Sequence, residues 1–210
     1  MEFTEVVRAR RMVRRYDPDR AVPREVVERC LDNAVRSPSA GFSQGWDFLV
    51  LSTDAEREAF WSATTEPGGD PDPWLDGIRA APVLVLCLSH KDAYLDRYAA
   101  PDKGWTDRDE ARWPVPYWDV DTGMASLLIL LTATDEGLGS LFFGVPPERH
   151  AAVHEAFDIP ASRTIVGVVS IGYAVPGPRS PSLRRHRRSG REVAHWGRFG
   201  AGSGVAGEEA

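Results

Sequence analysis

Arginine is the residue whose placement in this 210-residue chain first suggests chemistry. Residues 8–15 hold five arginines and no acid, and residues 179–198 hold seven arginines against the single Glu192. Together these segments carry +11, which leaves −17 on the rest of the chain behind a net charge of −6. Like charges at such spacing repel by roughly 0.2–0.5 kcal/mol per neighbouring pair. Two clusters near opposite ends of the sequence invite one explanation, a shared anion. Two solvated basic faces are the alternative. A nucleic-acid surface is disfavoured, because the acidic remainder opposes a polyanion.

Other reactive groups offer less. Cys30 and Cys87 sit in apolar settings and form neither a disulfide framework nor a metal site. His150 and His154 are one helical turn apart, but no third ligand accompanies them, so a surface pair is expected. There is no Cys/His nucleophile motif.

The elements that position these residues can be read from periodicity. Thr4 can cap a helix over about 5–11. After Pro23, the residues Val26, Val27, Cys30, Leu31, Ala34 and Val35 recur at helical spacing and stop before Ser37-Pro38. Trp46 to Ser52, Val83 to Ser89, Ser140 to Phe143 and Thr164 to Tyr173 read as strands, the second apolar enough to be covered on both faces. A short helix is expected over Glu56 to Ala63, and another from Pro146 or Pro147 to about Phe157. Residues 92–120 form a polar, aromatic-rich insertion, and Asp121 or Thr122 caps a helix to about Glu136. That helix is apolar on nearly every side, so it must be buried all round, in a core or a subunit interface. Its apolar stretch falls short of the roughly 20 residues that span a membrane. Interleaved helices and strands make the class α+β. One domain is expected over residues 1–199, with 200–210 a flexible tail.

Four segments in order resemble the nitroreductase family of flavin-dependent oxidoreductases. Arg10-Arg11-Met12-Val13-Arg14 is similar to the family's Arg-Arg-Ser-x-Arg. Ser37-Pro38-Ser39-Ala40-Gly41-Phe42-Ser43-Gln44-Gly45-Trp46 resembles a Pro-Ser-Ser-x-Asn-x-Gln-Pro-Trp loop. Glu136-Gly137-Leu138-Gly139-Ser140 leads to Phe143-Gly144, and Ile171-Gly172-Tyr173 is followed by a basic stretch and Glu192-Val193-Ala194-His195-Trp196.

The resemblance implies a nitroreductase-like fold, a central mixed β-sheet flanked by helices in an intertwined homodimer. FMN would lie at the interface and touch both subunits. Arg10, Arg11 and Met12 would reach its phosphate or ribityl side, joined by Arg185 and Arg187, or by Arg184 or Arg188. Arg14 would sit near the pyrimidine edge, where a cation stabilises a reduced ring. Pro38, Ser39 and Ala40 would pass the flavin with backbone groups, Gln44 would offer a side-chain hydrogen bond, and amides around Phe143 and Gly144 would face N5. The chain departs from the family where Met12 replaces serine, Phe42 replaces asparagine and Gly45 replaces proline.

Phe42, Tyr117 and Trp118 are the candidate walls of a substrate pocket. The aromatics Tyr94, Tyr98, Trp105, Trp113, Tyr117 and Trp118 either stack on a flat substrate or pin a long loop as a satellite cluster. The implied activity is a ping-pong cycle: NADH or NADPH reduces the flavin, which then reduces an organic acceptor such as a nitroaromatic or quinone. A flavin-binding module without turnover, or a dehalogenase or ring dehydrogenase, is the alternative. A cytoplasmic, metal-free homodimer with no nucleic-acid or membrane partner is expected.

Overall fold

The computed structural model describes residues 1–66, 73–177 and 184–200. Four strands form one sheet: β1 (Trp46–Leu51), β2 (Val83–Ser89), β3 (Gly139–Phe143) and β4 (Thr164–Gly172), in the order β1-β2-β4-β3. Pairings between these strands are all antiparallel. Among the described residues, mixed character is confined to one parallel bridge between Met12 and Ser140.

β2 is the centre of the core, with all seven residues buried. Strand alternation sends Leu84, Leu86 and Leu88 to one face and Val83, Val85 and Cys87 to the other. The first face is covered by Phe60 and Trp61 of α3 (Asp54–Thr64), Ile78 of α4 (Pro73–Arg79) and Val153 of α7 (His150–Ala156). The second face is covered by Val27, Cys30 and Ala34 of α2 (Arg24–Ala34) and by Ala125, Ile129 and Ala133 of α6 (Tyr117–Asp135). The result is an α+β sandwich with helices on both sides of the sheet.

Two helix starts differ from expectation. α1 (Phe3–Ala9) is capped by Glu2, which exchanges hydrogen bonds with Glu5; Thr4 lies inside the helix. α6 begins at Tyr117 behind Pro116, so Asp121 and Thr122 are not caps but buried interior residues. The apolar girth of α6 is only partly used within the chain. Val120, Met124 and Leu127 remain 41%, 36% and 47% exposed, a stripe at helical spacing along its outer face.

The arginine segment between α1 and α2 is extended, not helical. Val13 N–H donates to the Ser140 carbonyl at 2.9 Å, Val175 N–H to the Arg15 carbonyl at 3.1 Å, and Asp17 N–H to the Tyr173 carbonyl at 2.9 Å. The chain thus follows the outer edge of β3 and then runs beside the end of β4. Tyr16, wholly buried, anchors it: its hydroxyl donates to the Val13 carbonyl at 3.0 Å and lies 2.8 Å from the Ser170 hydroxyl. Close packing requires two glycines here. A Cβ on Gly139 would press into the Val13 side chain, and one on Gly77 of α4 would run into the Arg14 carbonyl oxygen.

The chain divides into two compact units after Pro176. In the second, Ser189 caps a short helix, α8 (Gly190–Val193), in a reciprocal pair with Glu192. Of the expected tail 200–210, residues 201–210 lie outside the described residues, as does Arg179.

Gly77→Ala tests the clamp on the arginine segment. Its methyl group meets backbone, not a flexible side-chain tip, so a loss of about 1–3 kcal/mol is expected, read as a lower thermal midpoint with native circular dichroism.

Candidate functional site

The charge of the arginine segment has no internal partner. Among the described residues, none of Arg8, Arg10, Arg11, Arg14 and Arg15 holds a carboxylate. Elsewhere Arg29, Arg57, Arg97, Arg108, Arg112 and Arg163 are each paired with an acid. Arg11 and Arg14 spend donors only on backbone carbonyls of their own segment, Arg11 on Arg10 at 2.9 Å and Arg14 on Met12 at 3.2 Å. Nη1 of Arg10 is enclosed and has no acceptor at all. An enclosed guanidinium N–H without a partner is costly. Together with the neighbouring, more exposed guanidinium groups it forms a donor set suited to an oxyanion that accepts many hydrogen bonds at once.

Met12 takes part through its backbone, with its side chain 38% exposed. Facing it across the bridge, the Ser140 hydroxyl is buried and unpartnered. At the other end of β3, the Phe143 ring turns into the core and stacks on Trp61, centroids 5.9 Å apart and nearly parallel. Gly144 is exposed, and its missing Cβ would meet nothing within 4 Å. Beside it a cavity of about 300 Å³ is lined by Phe60, Trp61, Thr64, Leu75 and Phe143.

The loop from Pro38 to Gln44 is built differently. Its backbone enters a 3-10 turn at Ala40–Phe42, and Gly41, Phe42 and Gln44 have φ of 62°, 58° and 51°. Left-handed geometry is rare for a bulky residue such as Phe42. Most polar groups of the loop are already engaged: Ala40 N–H donates to Asp121 at 2.8 Å, Gln44 N–H to the Ser39 hydroxyl at 3.0 Å, and the Ser43 hydroxyl to the Ala40 carbonyl at 2.7 Å. What it presents outward is the Gln44 side chain and the Phe42 ring, 76% exposed.

The insertion supports this loop from behind. In α5 (Lys91–Tyr98), Tyr94 lies against Gly45, Tyr98 lies against Gly41, and Arg97 donates to the Gly41 carbonyl at 3.0 Å. Trp113 is the hub of the aromatic group, with edge contacts to Tyr94, Tyr98, Trp105, Tyr117 and Trp118 at centroid distances of 4.7–6.0 Å. Trp118 is buried within it, whereas Tyr117 is 43% exposed. Asp121 and Tyr94 were not singled out as site residues from sequence. The available signal was a carboxylate directly ahead of a strongly apolar helical run.

The arginine strap and the Phe42 loop are far apart within one chain. Met12 bridges Ser140, which pairs with Ile171; Trp46, just past the loop, pairs with Ser89 and through it with Thr164. With about 4.8 Å between strands and about 3.3 Å per residue, these corners lie on the order of 30 Å apart. α6 spans the same diagonal, from Asp121 at the loop to the turn that enters β3.

In the second unit Arg184, Arg185 and Arg187 are exposed and hold no carboxylate among the described residues. Arg188 donates to the Glu192 carbonyl at 2.9 Å. His150 and His154 each engage a backbone carbonyl, of Val145 at 3.2 Å and Ile159 at 3.1 Å. No helix is long and apolar enough to cross a membrane among the described residues.

The arrangement is that of an α+β protein with an uncompensated guanidinium strap on its sheet edge. The sequence model of the nitroreductase family matches residues 7–173, and the chain belongs to that family. It is 28% identical over 185 residues to a Methanothermobacter thermautotrophicus protein provisionally named NADH dehydrogenase/NAD(P)H nitroreductase, covering 87% of this chain and 83% of that one. It is 30% identical over 203 residues to a 4-nitrobenzoate reductase of a Nocardioides species, covering 81% and 80%. Its fold is similar to that of an Exiguobacterium sibiricum protein solved in complex with FMN, with a TM-score of 0.69, 21% identity and coverage of 93% and 97%.

Both thiols are fully buried, and burial pushes each up to about 12. Thiol chemistry therefore has no place at this site. A disulfide reagent such as DTNB is expected to leave Cys30 and Cys87 untouched in the native protein and to titrate both after denaturation.

Proposed function

We propose that the protein is an FMN-dependent oxidoreductase that works as a homodimer, using NADH or NADPH to reduce a small organic acceptor such as a nitroaromatic or quinone. The observation that carries this reading is the strap: Arg10, Arg11, Arg14 and Arg15 without an acid among them, just after Arg8 of α1, and one of them with an enclosed and unpartnered N–H. Family membership, the FMN complex of the Exiguobacterium protein and the name of the Methanothermobacter relative support the flavin and its nicotinamide donor. The likeness to a 4-nitrobenzoate reductase supports a nitroaromatic acceptor.

Arg10 and Arg11 hold the phosphate, and the backbone of Met12 keeps them in register on β3. Arg14 supplies positive charge nearer the ring. Gly144 lies roughly 13 Å from Ser140 at about 3.3 Å per residue, and its bare Cα leaves room for a flat group at the far end of the strand. FMN, once bound, supplies two-electron acceptance from the nicotinamide and ping-pong delivery to the acceptor. The protein contributes binding, orientation and water exclusion, and no side-chain nucleophile is called upon.

The geometry supports a homodimer. The exposed stripe Val120, Met124 and Leu127 lies along the N-terminal half of α6, and the two ends of the helix carry the two halves of the site. Two copies of α6 packed antiparallel about a two-fold axis bury both stripes and bring the strap of one protomer to the Phe42 loop of the other. Phe42, Gln44 and the exposed Tyr117 then wall the ring, while the buried Trp118 braces them from inside.

Purified protein is expected to be yellow, or to turn yellow with added FMN, and to bleach anaerobically with NADH or NADPH. A colourless protein that takes up no FMN would overturn the reading; tight FMN binding with inertness to both nicotinamides would favour the module without turnover. Arg10→Ala removes charge-assisted hydrogen bonds worth about 1.5–3 kcal/mol, so a roughly tenfold to hundredfold weaker FMN Kd is expected, with riboflavin affinity little changed. Leu127→Asp should give monomers in sedimentation and lose FMN in parallel.

A further inference from the structure

Asp121 is a carboxylate in an apolar setting, only 1% exposed, and no basic side chain pairs with it among the described residues. One of its oxygens accepts two hydrogen bonds at 2.8 Å, from the Ala40 N–H and from the Tyr94 hydroxyl. Tyr94 is itself fully buried, which together with its carboxylate acceptor pushes its ionisation far above the ordinary tyrosine range, so it remains a donor. Burying such a group is unfavourable, and a well-packed apolar side chain would serve stability at least as well. The use of the pair must therefore lie in what it orients.

What it orients is the segment with the least regular backbone near the site. Gly41, Phe42 and Gln44 all sit in the left-handed region, and two of them are not glycine. Such conformations persist only where the surroundings over-determine them. Here Asp121 fixes the start of the segment at Ala40, Arg97 fixes its middle at Gly41, and the Tyr94 ring packs against its end at Gly45. The Phe42 ring is left pointing into solvent.

We propose that Asp121 and Tyr94 are positioning residues: they lock the 40–44 backbone so that Phe42 and Gln44 present a preformed wall to the flavin ring. The proposal rests on the flavin reading above. The pair acts through the loop and touches no cofactor itself. Its effect is on the fit of the ring, not on phosphate capture, which belongs to the distant strap.

The test uses the full-length protein and four measurements: apoprotein melting temperature, FMN Kd, visible spectrum of the bound flavin, and kcat and KM for NADH-driven reduction of menadione. Asp121→Leu keeps the branched outline and removes the acceptor, Tyr94→Phe removes one donor, and Asp121→Asn keeps an acceptor oxygen. Asp121→Leu and Tyr94→Phe should weaken FMN by about tenfold or more and move the bound spectrum towards that of free FMN. Asp121→Asn should restore most of both. If the melting temperature falls while affinity and spectrum match the native protein, the pair is merely structural and the proposal fails. Should Asp121→Leu not fold, Tyr94→Phe decides by the same readings. Absence of FMN binding in the unaltered protein would instead bring down the flavin reading itself.

Discussion

Uncompensated positive charge on a rigid edge is the constraint around which this molecule is arranged. Five guanidinium groups in eight residues would destabilise a free chain segment, yet Arg8 closes α1 and the backbone that carries the other four is hydrogen-bonded to β3 and to the segment just past β4 and anchored by the buried Tyr16. The stability of the sheet holds the arginines close together, so their mutual repulsion is already paid for before any ligand arrives. A bound dianion then relieves repulsion instead of having to organise the site, which is the physical content of preorganisation. Glu136, in the turn before β3, is engaged by Arg29 and not by the strap.

Length imposes the second constraint. A sheet of four strands with the order β1-β2-β4-β3 puts the strap on one edge and the Phe42 loop beyond the other, at opposite ends of the strands. No rearrangement inside one protomer closes a gap on the order of 30 Å across a packed sheet. α6 connects the two corners and exposes apolar side chains between them. A second copy packed on α6 would cover the outward stripe and bring the two corners together, and cofactor affinity would then be coupled to association by linkage.

Much of this was legible in the sequence because it depends on local pattern. The continuous apolar run Val83–Ser89, the helical stripe of α2 and the excess hydrophobicity of α6 each reflect burial that periodicity reports directly. The arginine cluster was equally plain, although its extended form was not, since what makes it a strap is pairing with Ser140, Tyr173 and Val175, far away in sequence. The cap of α1 went to Glu2 instead of Thr4 because a glutamate pair can close the box as a threonine can. Asp121 read as a cap for the same local reason. Its real partners, Ala40 and Tyr94, are contributed by segments 81 and 27 residues away, and no local rule sees them.

The departures from the family motif also follow from these contacts and are not independent of one another. At Gly45 any Cβ would collide with the Tyr94 ring and the His90 carbonyl, so a proline there is incompatible with the tyrosine that meets Asp121. The insertion aromatics and Gly45 are therefore one adaptation: the loop gives up a stiff residue and gains an external brace. With the brace in place the backbone can tolerate a left-handed Phe42, whose ring replaces a polar contact with an apolar, exposed surface. Met12 is tolerated for a different reason. Its contribution is a backbone bridge to Ser140, which any side chain preserves. Two of the three changes thus trade hydrogen bonding for apolar surface around an unchanged charge cluster. On the flavin reading proposed above, that combination would keep a phosphate-bearing cofactor anchored while shifting the pocket above its ring towards flat, weakly polar acceptors.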